Sequence, residues 1–313
     1  MPEADRAAVD RLLRRVLGGS FRFERTVEGV STEVYRIARG EDTFYLRLPL
    51  DYPPTFAAEA AVYTELRRRG VAVPEVVHYE LLADEVGRSA LVTTEIPGGP
   101  MTDDAPSAEA LPRIYRAAGR DLAVINQIAV DGFGWIQNRE VGWPLQAEHR
   151  DFGRWLAEFD AGILRHLNFG FTEVERVEQI VADEVRHAPT SGRLAHGDFY
   201  LGAVFHRDGR YTGMIDFGSI QGGNGWHDLA TVRLFDPEMD LPEDATIPHL
   251  EAGYAEITGM PLDFHARVHG TAVTIMAERI VRQYSEEGEA ARRRASFRIF
   301  LHHLHRSVRE SNG

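Results

Sequence analysis

Two residue types are absent from this chain of 313 residues: lysine and cysteine. Because all 35 basic residues are arginine, the sequence has no lysine for a P-loop, a Schiff base or a lysine general base. The lack of cysteine likewise excludes thiol nucleophiles, disulfide bonds and cysteine-ligated zinc or iron–sulfur sites. Only reaction classes that need neither side chain remain.

The chain also lacks an excess of positive charge and any long apolar run. Its 48 acidic and 35 basic residues give a formal net charge of -13, whereas nucleic-acid binding depends on concentrated positive charge. No apolar run approaches the ~18–20 residues that span a bilayer, and the polar residues 1–6 do not resemble a secretory signal. We therefore expect a cytoplasmic protein that binds neither nucleic acid nor membranes, while its oligomeric state stays open.

The first part of the chain predicts a small lobe rich in strands. Apolar residues at helical spacing before Gly18 predict an opening helix, and a further helix is predicted over residues 57–69. β-Branched and aromatic residues cluster or alternate with polar ones at residues 21–23, 34–37 and 44–48, which predicts the strands of an antiparallel meander. Another strand is predicted over residues 91–96.

A group of chain-breaking residues, Pro97-Gly98-Gly99-Pro100, predicts a hinge between two lobes. We place a small lobe at residues 1–97 and a larger one at residues 98–313. Apolar stripes from residue 107 onward predict that the larger lobe is mostly helical, with one stripe over residues 152–163. An Asp-Gly pair at residue 208, between two apolar segments, predicts one embedded β-hairpin.

Two aspartates flank that predicted hairpin. Asp198 ends a His-Gly-Asp motif, and Asp216 begins an Asp-Phe-Gly motif. A hairpin between them brings the two carboxylates to one end of a β-ribbon, where one can orient a hydroxyl nucleophile and the other can hold a divalent metal. This division of labour predicts phosphoryl transfer.

The two motifs resemble those of the aminoglycoside phosphotransferase and choline kinase-like family. The resemblance extends downstream to an Asp-Leu-Ala helix start at Asp228 and upstream to a phosphate-covering loop at residues 29–35, so it covers about residues 25 to 235. It implies a bilobal, protein-kinase-like α+β fold. The N-terminal lobe would have a small antiparallel sheet with one packed helix, and the C-terminal lobe would be mostly helical with the catalytic hairpin embedded in it.

The resemblance also implies roles for individual residues. Asp198 would be the catalytic base or would position the acceptor hydroxyl, and Asp216 would bind Mg²⁺. Arg47, paired with Glu59, would neutralise the α- and β-phosphates of ATP or GTP. The remaining nucleotide-binding groups would be Ser31 and Thr32 near the β- and γ-phosphates and the hinge backbone around the base, at Glu95, Ile96 and Pro97.

The sequence departs from the family pattern at two positions. Ala203 stands where the family carries its second metal ligand, usually asparagine, and a methyl group cannot coordinate a cation. Arg47 stands where a strand lysine is expected, and its planar guanidinium keeps the charge but is bulkier. We therefore expect Asp216 to supply most of the protein's metal coordination.

Some of these residues also have plainer interpretations. Arg47 and Glu59 could form a surface ion pair that contributes little to stability. His196 is expected to bond backbone around its loop rather than to act as a base, and Asp228 is expected to cap a helix.

The leading prediction is a small-molecule O-phosphotransferase that moves the γ-phosphoryl group of ATP or GTP to a hydroxyl of an antibiotic-like acceptor. In the family that the sequence resembles, the region beyond the Asp-Leu-Ala motif contributes to the acceptor cleft. The resemblance therefore implies that the acidic run over residues 236–263 faces a cationic acceptor such as an amino sugar, unless the run is a solvated acidic face. Two alternatives are a nucleotide-binding pseudokinase and a kinase for a metabolic sugar or amino alcohol. The presence of both Asp198 and Asp216 favours an enzyme.

Overall fold

The small lobe is built on a five-stranded antiparallel sheet. The computed structural model describes residues 4–26, 32–50, 55–103, 106–157, 159–235 and 243–310. The strands of this sheet are β1 (Arg22–Arg25), β2 (Thr32–Arg39), β3 (Asp42–Pro49), β4 (Val76–Ala83) and β5 (Arg88–Thr94). They lie in the order β1-β2-β3-β5-β4. The meander predicted for the first three strands is confirmed, whereas β4, which was not predicted, lies at the edge of the sheet beyond β5.

Two helices rather than one pack on this sheet. The first, α1 (Arg6–Leu17), ends at Gly18, whose φ of 63° suits a residue without a side chain. Its apolar stripe packs on one sheet face, in a cluster that includes Val9, Leu12, Leu13, Ile37, Leu46 and Leu48. The second, α2 (Ala57–Arg68), covers the other face and joins the main core of the protein.

The larger lobe is mostly helical, as predicted. Its helices are α3 (Leu111–Asn126), α4 (Phe152–Trp155), α5 (Ile163–His166), α6 (Phe171–His187), α7 (His227–Phe235), α8 (Glu243–Thr258), α9 (Phe264–Glu287) and α10 (Ala295–Glu310). The stripe predicted over residues 152–163 is broken after Trp155. The Asp160 side chain accepts the Gly162 N–H at 2.8 Å, and such local bonds compete with a helix.

The predicted hairpin is confirmed, and it belongs to a small three-stranded sheet. Its strands β11 (Val204–Arg207) and β12 (Arg210–Met214) turn at Asp208 and Gly209, both with positive φ. Strand β6 (Gly99–Pro100) pairs with β11, so the hinge segment runs directly into the larger lobe.

A second five-stranded sheet in the larger lobe was not predicted. It consists of β7 (Ala129–Val130), β8 (Phe133–Ile136), β9 (Ala147–His149), β10 (Gly192–Ala195) and β13 (Gln221–Gly223), in the order β7-β10-β13-β8-β9. Each strand is only two to four residues long, too short for a periodic signal. The sheet matters because β10 leads into the His-Gly-Asp motif. Within the described residues, no helix is long and apolar enough to cross a bilayer.

The loop between α2 and β4 forms a second junction between the lobes. The Ala72 N–H donates to the Asp121 carboxylate of α3 at 3.0 Å, and the Ala72 carbonyl accepts the Met214 N–H of β12 at 2.9 Å. The Tyr211 hydroxyl donates to the same carboxylate at 2.8 Å. Burial raises the pKa of Asp121. The two lobes are thus joined at a second point, beside the side chain of Ile96, since a Cβ atom added to Gly213 would lie 2.5 Å from the Ala72 carbonyl oxygen and 3.0 Å from Ile96 Cδ1.

A buried ion pair stabilises the small lobe. The Arg88 guanidinium donates to the Glu33 carboxylate at 2.7 Å and to the Pro49 carbonyl at 3.0 Å. Glu33 also accepts the Ala4 N–H and the Tyr35 hydroxyl. The Glu33 side chain is 0% exposed and the Arg88 side chain is 6% exposed. Burial alone would raise the pKa of Glu33, but these hydrogen bonds hold it below its ordinary value.

We expect Arg88→Met to lower the free energy of unfolding by about 3–5 kcal/mol, because it leaves a buried carboxylate without its counter-charge. Denaturant unfolding of parent and variant at neutral pH measures the difference. The pKa of Glu33 is lowered in the folded state, so the stability that the pair contributes is present above the unfolded pKa and is lost as the pH falls through the folded one. The difference should shrink over that range.

Arg14→Met is the matched control for Arg88→Met. Arg14 pairs with Asp10 at 2.6 Å on the surface, with 64% of its side chain exposed, and such pairs contribute little. The control should unfold at nearly the parent's denaturant midpoint. If Arg88→Met behaved like the control, the pair would not have the stabilising role that we assign to it.

Candidate active site

The catalytic hairpin brings Asp198 and Asp216 to one end of the larger lobe. Asp198 follows β10 in an irregular loop, and Asp216 follows β12 with a left-handed φ of 72°. The negative charge of Asp216 acts on the Asp198 carboxylate. The structure therefore brings together the two carboxylates on which the sequence argument depends.

A buried carboxylate on α7 fixes the loop that carries Asp198. Asp228 accepts the backbone N–H of His196 at 2.9 Å and that of Gly197 at 3.0 Å. Asn126 of α3 donates to the same carboxylate at 2.7 Å. Asp228 was expected to cap its own helix, but its carboxylate instead binds the first two N–H groups of the catalytic loop. It is a positioning residue.

His196 has the structural role that the sequence predicted. Its Nε2 donates to the Ile215 carbonyl at 2.9 Å, and its ring packs against Phe199 and Phe217. The imidazole thus links the loop before Asp198 to the residue immediately before Asp216. It holds the two halves of the site in register.

The Asp198 carboxylate has an unusual electrostatic environment. Solvent reaches its side chain, but the surrounding cleft removes part of its hydration. This desolvation, together with the negative charge of Asp216, raises the pKa of Asp198, while the positive charge of Arg279 opposes the rise. A carboxylate with a raised pKa is a better proton acceptor.

Ala203 lies beside Asp216, where the sequence comparison expected a second metal ligand. Its carbonyl accepts the Ile215 N–H at 3.0 Å, and its methyl group is buried. Among the described residues, no cluster of three or more His, Asp or Glu side chains could hold a metal ion alone. A hard cation at Asp216 would need phosphate and water oxygens to complete its shell, which is the usual mode for Mg²⁺. Two neighbouring carboxylates, with one pKa raised, fit such a cation.

Arg47 and Glu59 form a buried ion pair between β3 and α2. Their side chains are 17% and 4% exposed, so the alternative of a surface ion pair is wrong. The pair adjoins the Asp-Phe-Gly segment, since a Cβ atom added to Gly218 would lie 3.7 Å from Arg47 Nη2. The Phe217 ring packs edge-on against Tyr63 of α2, with centroids 5.3 Å apart. Arg47 therefore lies next to the metal motif.

Three hinge residues were predicted to bind the base, and one of them has a backbone N–H without an acceptor among the described residues. The Glu95 N–H donates to the Thr43 carbonyl at 3.1 Å, and Pro97 has no N–H group. The Ile96 N–H has no acceptor among the described residues. The Glu95 carboxylate accepts the Tyr45 hydroxyl at 3.2 Å. Any hydrogen bond donated by this segment to a base would come from Ile96.

Only one of the two predicted phosphate-loop residues, Thr32, lies in the described part of the chain. Ser31 lies outside the described residues. Thr32 begins β2 opposite Pro49 and is buried. Their contacts with phosphate remain predictions.

Arg279 of α9 was not predicted as a site residue, although its positive charge acts on Asp198. A signal for it exists in the sequence. Arg279 follows Ile275 and Met276 at helical spacing, so it continues an apolar stripe of α9. A charged residue in such a stripe needs an explanation.

Comparison with known proteins identifies the family. A sequence profile of the phosphotransferase enzyme family (APH) matches residues 23–260. No curated protein matches the sequence.

Several solved structures share the fold over nearly their whole length. A thermostable mutant of aminoglycoside phosphotransferase APH(4)-Ia, in ternary complex with AMP-PNP and hygromycin B, aligns with a TM-score of 0.68 at 15% identity, over 98% of this chain and 99% of that one. A GDP complex of an aminoglycoside 2'-phosphotransferase-IIIa mutant aligns at 0.62 and 14%, over 99% of each chain. A putative fructosamine-3-kinase from Haemophilus somnus aligns at 0.59 and 17%, over 97% of each.

At such identities the structural likeness shows the fold, which is the bilobal, kinase-like α+β fold that the sequence predicted. The profile match covers well over half of the chain. The chain belongs to the phosphotransferase enzyme family, and it is a phosphotransferase.

Proposed function

We propose that this protein is a small-molecule O-phosphotransferase that moves the γ-phosphoryl group of ATP or GTP to a hydroxyl group of an antibiotic-like acceptor. The observation that carries the proposal is the joining of the Asp198 and Asp216 motifs, where His196 Nε2 donates to the Ile215 carbonyl at 2.9 Å, with Arg47 next to the Asp-Phe-Gly segment. Relatives with this fold bind AMP-PNP or GDP and, in one case, hygromycin B. These complexes support a nucleotide as the phosphoryl donor, with either adenine or guanine as its base.

Asp198 is the proposed base. As the acceptor oxygen forms its bond to the γ-phosphorus, the bond from that phosphorus to the β–γ bridging oxygen breaks and the nucleoside diphosphate leaves. The hydroxyl proton passes to the Asp198 carboxylate and then to solvent. Because the transition state is loose, positioning the hydroxyl matters as much as removing its proton. The raised pKa of Asp198 favours its accepting the proton.

The remaining charges hold the donor. Arg47, kept in place by Glu59, would neutralise the α- and β-phosphates. Asp216 would bind Mg²⁺, which neutralises charge on the β- and γ-phosphates when bound. Ser31 and Thr32 would face the outer phosphates. Ile96 would donate its free N–H to the base, with the Glu95 and Pro97 backbone beside it.

The first test of the proposal is nucleotide binding. Saturating ATP or GTP with Mg²⁺ should raise the Tm, because a ligand at about 100 times its Kd stabilises the folded form by about 2.7 kcal/mol. Differential scanning fluorimetry measures the shift. Arg47→Met should reduce it and the surface control Arg14→Met should not. The absence of a shift with either nucleotide would contradict the proposal.

Substitutions of Asp198 and Asp216 should have different effects on nucleotide binding and turnover. Asp198→Asn keeps the shape but cannot take the proton, so nucleotide affinity should stay within a few-fold while kcat falls by about 10²–10⁴. Asp216→Asn should weaken both Mg²⁺-dependent nucleotide binding and turnover, because it removes charge from the metal site. Calorimetry and nucleotide consumption separate the two. Parent-like turnover by Asp198→Asn would refute its role, and turnover absent from the parent would favour a pseudokinase.

Ala203→Asn should tighten Mg²⁺-dependent nucleotide binding, because it restores an oxygen ligand beside Asp216. Ala203 is buried, so Ala203→Leu serves as a control for added bulk without a ligand. Titration calorimetry at fixed nucleotide and varied Mg²⁺ measures the effect. Equal affinities for the asparagine and leucine variants would show that another group already fills the position.

A further inference from the structure

Arg279 is a half-buried charge in an otherwise apolar part of α9. The residues that share its stripe are buried: Ala272, Ile275, Met276 and Ile280. Its guanidinium carbon lies 5.6 Å from the centroid of the Phe300 ring on α10. The aromatic ring supports the flat guanidinium and leaves its N–H edge for other partners.

Arg279 has no direct partner within the described parts of the chain, although the negative charges of Asp198 and Glu278 act on it from a greater distance. Its guanidinium makes no hydrogen bond there and no ion pair within 4.0 Å. Other arginines of α9 are paired, since Arg267 binds Asp263 at 2.7 Å and Arg282 binds Glu278 at 2.8 Å. A guanidinium has five N–H donors, and burying them without acceptors is costly. The arrangement favours an anion that arrives from outside the described residues.

The position of Arg279 relates it to the transfer site. The charges of Arg279 and Asp198 act on each other although the groups do not touch. His227, at the start of α7, lies within reach of the same positive charge. Its side chain is buried and its Nε2 has no hydrogen-bond partner. His227 lies beside the strand that leads to Asp198, since a Cβ atom added to Gly223 would be 3.0 Å from His227 Cβ and 3.6 Å from Ala195 Cβ. Arg279 and His227 thus both have unused hydrogen-bonding capacity on this side of the larger lobe.

Three carboxylates of the acidic run that suggested a cationic acceptor are paired with arginines. Glu251 binds Arg233 at 3.0 Å, and Glu256 binds Arg120 at 3.0 Å. Asp263 is bound to Arg267, as stated above. These three carboxylates have arginine partners, whereas Arg279 has no direct partner among the described residues.

We propose that Arg279 binds an anionic group of the acceptor, a carboxylate or a phosphate, close to the hydroxyl that is phosphorylated. This inference rests on the proposed phosphotransferase function and names its substrate class. Guanidinium groups bind both oxyanions through paired hydrogen bonds. Arg279 would thereby orient the acceptor hydroxyl toward Asp198 and select acidic hydroxyl compounds over basic ones.

A panel of matched acceptors tests the proposal. Each member shares one polyol scaffold and carries a carboxylate, a phosphate, a neutral carboxamide or an amine, and nucleotide consumption gives kcat and KM for each. The parent should prefer the carboxylate or the phosphate member by about 10- to 100-fold in kcat/KM, the range expected for hydrogen bonds to a charged group. Which of the two it prefers identifies the anion.

Variants of Arg279 test whether this residue causes the preference for an anionic acceptor. Arg279→Gln should raise KM for the anionic acceptor about 10-fold or more and change that for the carboxamide by less than about 3-fold, because only the charged interaction is lost. Arg279→Lys should retain part of the preference. Arg267→Gln, on the same helix but paired with Asp263, should behave like the parent. The Tm of each variant with and without ATP or GTP reports folding and donor binding.

The outcomes distinguish this inference from the proposed function. Preference for the amine, an unchanged preference in Arg279→Gln, or nucleotide binding without turnover of any panel member would overturn the inference and leave donor binding intact. Should Arg279→Gln fail to fold, the parent's preference and the Arg279→Lys kinetics still decide. Failure of the proposed function shows itself differently, as the absence of any nucleotide-induced rise in Tm for the parent.

Discussion

The buried carboxylate of Asp228 accepts the two successive backbone N–H groups that open the catalytic loop. Hydrogen bonds to a charged acceptor are roughly twice as strong as neutral ones, and Asn126 supplies a third. Together they hold Gly197 at a φ of 83° with its α-carbon against the Ser219 carbonyl, where a Cβ would lie 1.9 Å from the oxygen. The chain direction at Asp198 follows from this constraint.

The transfer site depends on both lobes because each contributes a different charge. The small lobe provides the Arg47–Glu59 pair, and the larger lobe provides Asp198 and Asp216. The ring of Phe217 in the larger lobe contacts the ring of Tyr63 on α2. The metal motif and α2 therefore cannot move independently without losing this contact. The proposed donor side thus holds an arginine whose charge Glu59 balances, and the proposed reacting end holds the negative charges of Asp198 and Asp216, with the positive charge of Arg279 acting on Asp198.

Sequence reasoning succeeded where function depends on local order along the chain. The catalytic hairpin was predictable because an Asp-Gly turn between apolar strands is a local signal, and the two aspartates lie directly beside it. The second sheet was not, since its strands are held by partners distant in sequence: Leu194 pairs with Gly222, for example. The role of Asp228 and the position of Arg279 depend on tertiary contacts, and a single sequence shows only that one stands at a helix start and the other in an apolar stripe.

The junction at Ala72 has a mechanical consequence. The lobes are tied at Ala72 by bonds to Asp121 and Met214, and again at Gly99, where the hinge segment enters the sheet of the larger lobe. A body held at two points keeps one rotation, about the line that joins them. Ile96 lies close to both points: it is three residues before Gly99, and a Cβ atom added to Gly213 would be 3.0 Å from Ile96 Cδ1 and 2.5 Å from the Ala72 carbonyl oxygen. Opening of the cleft would therefore widen it away from this axis while the hinge backbone stays near its place.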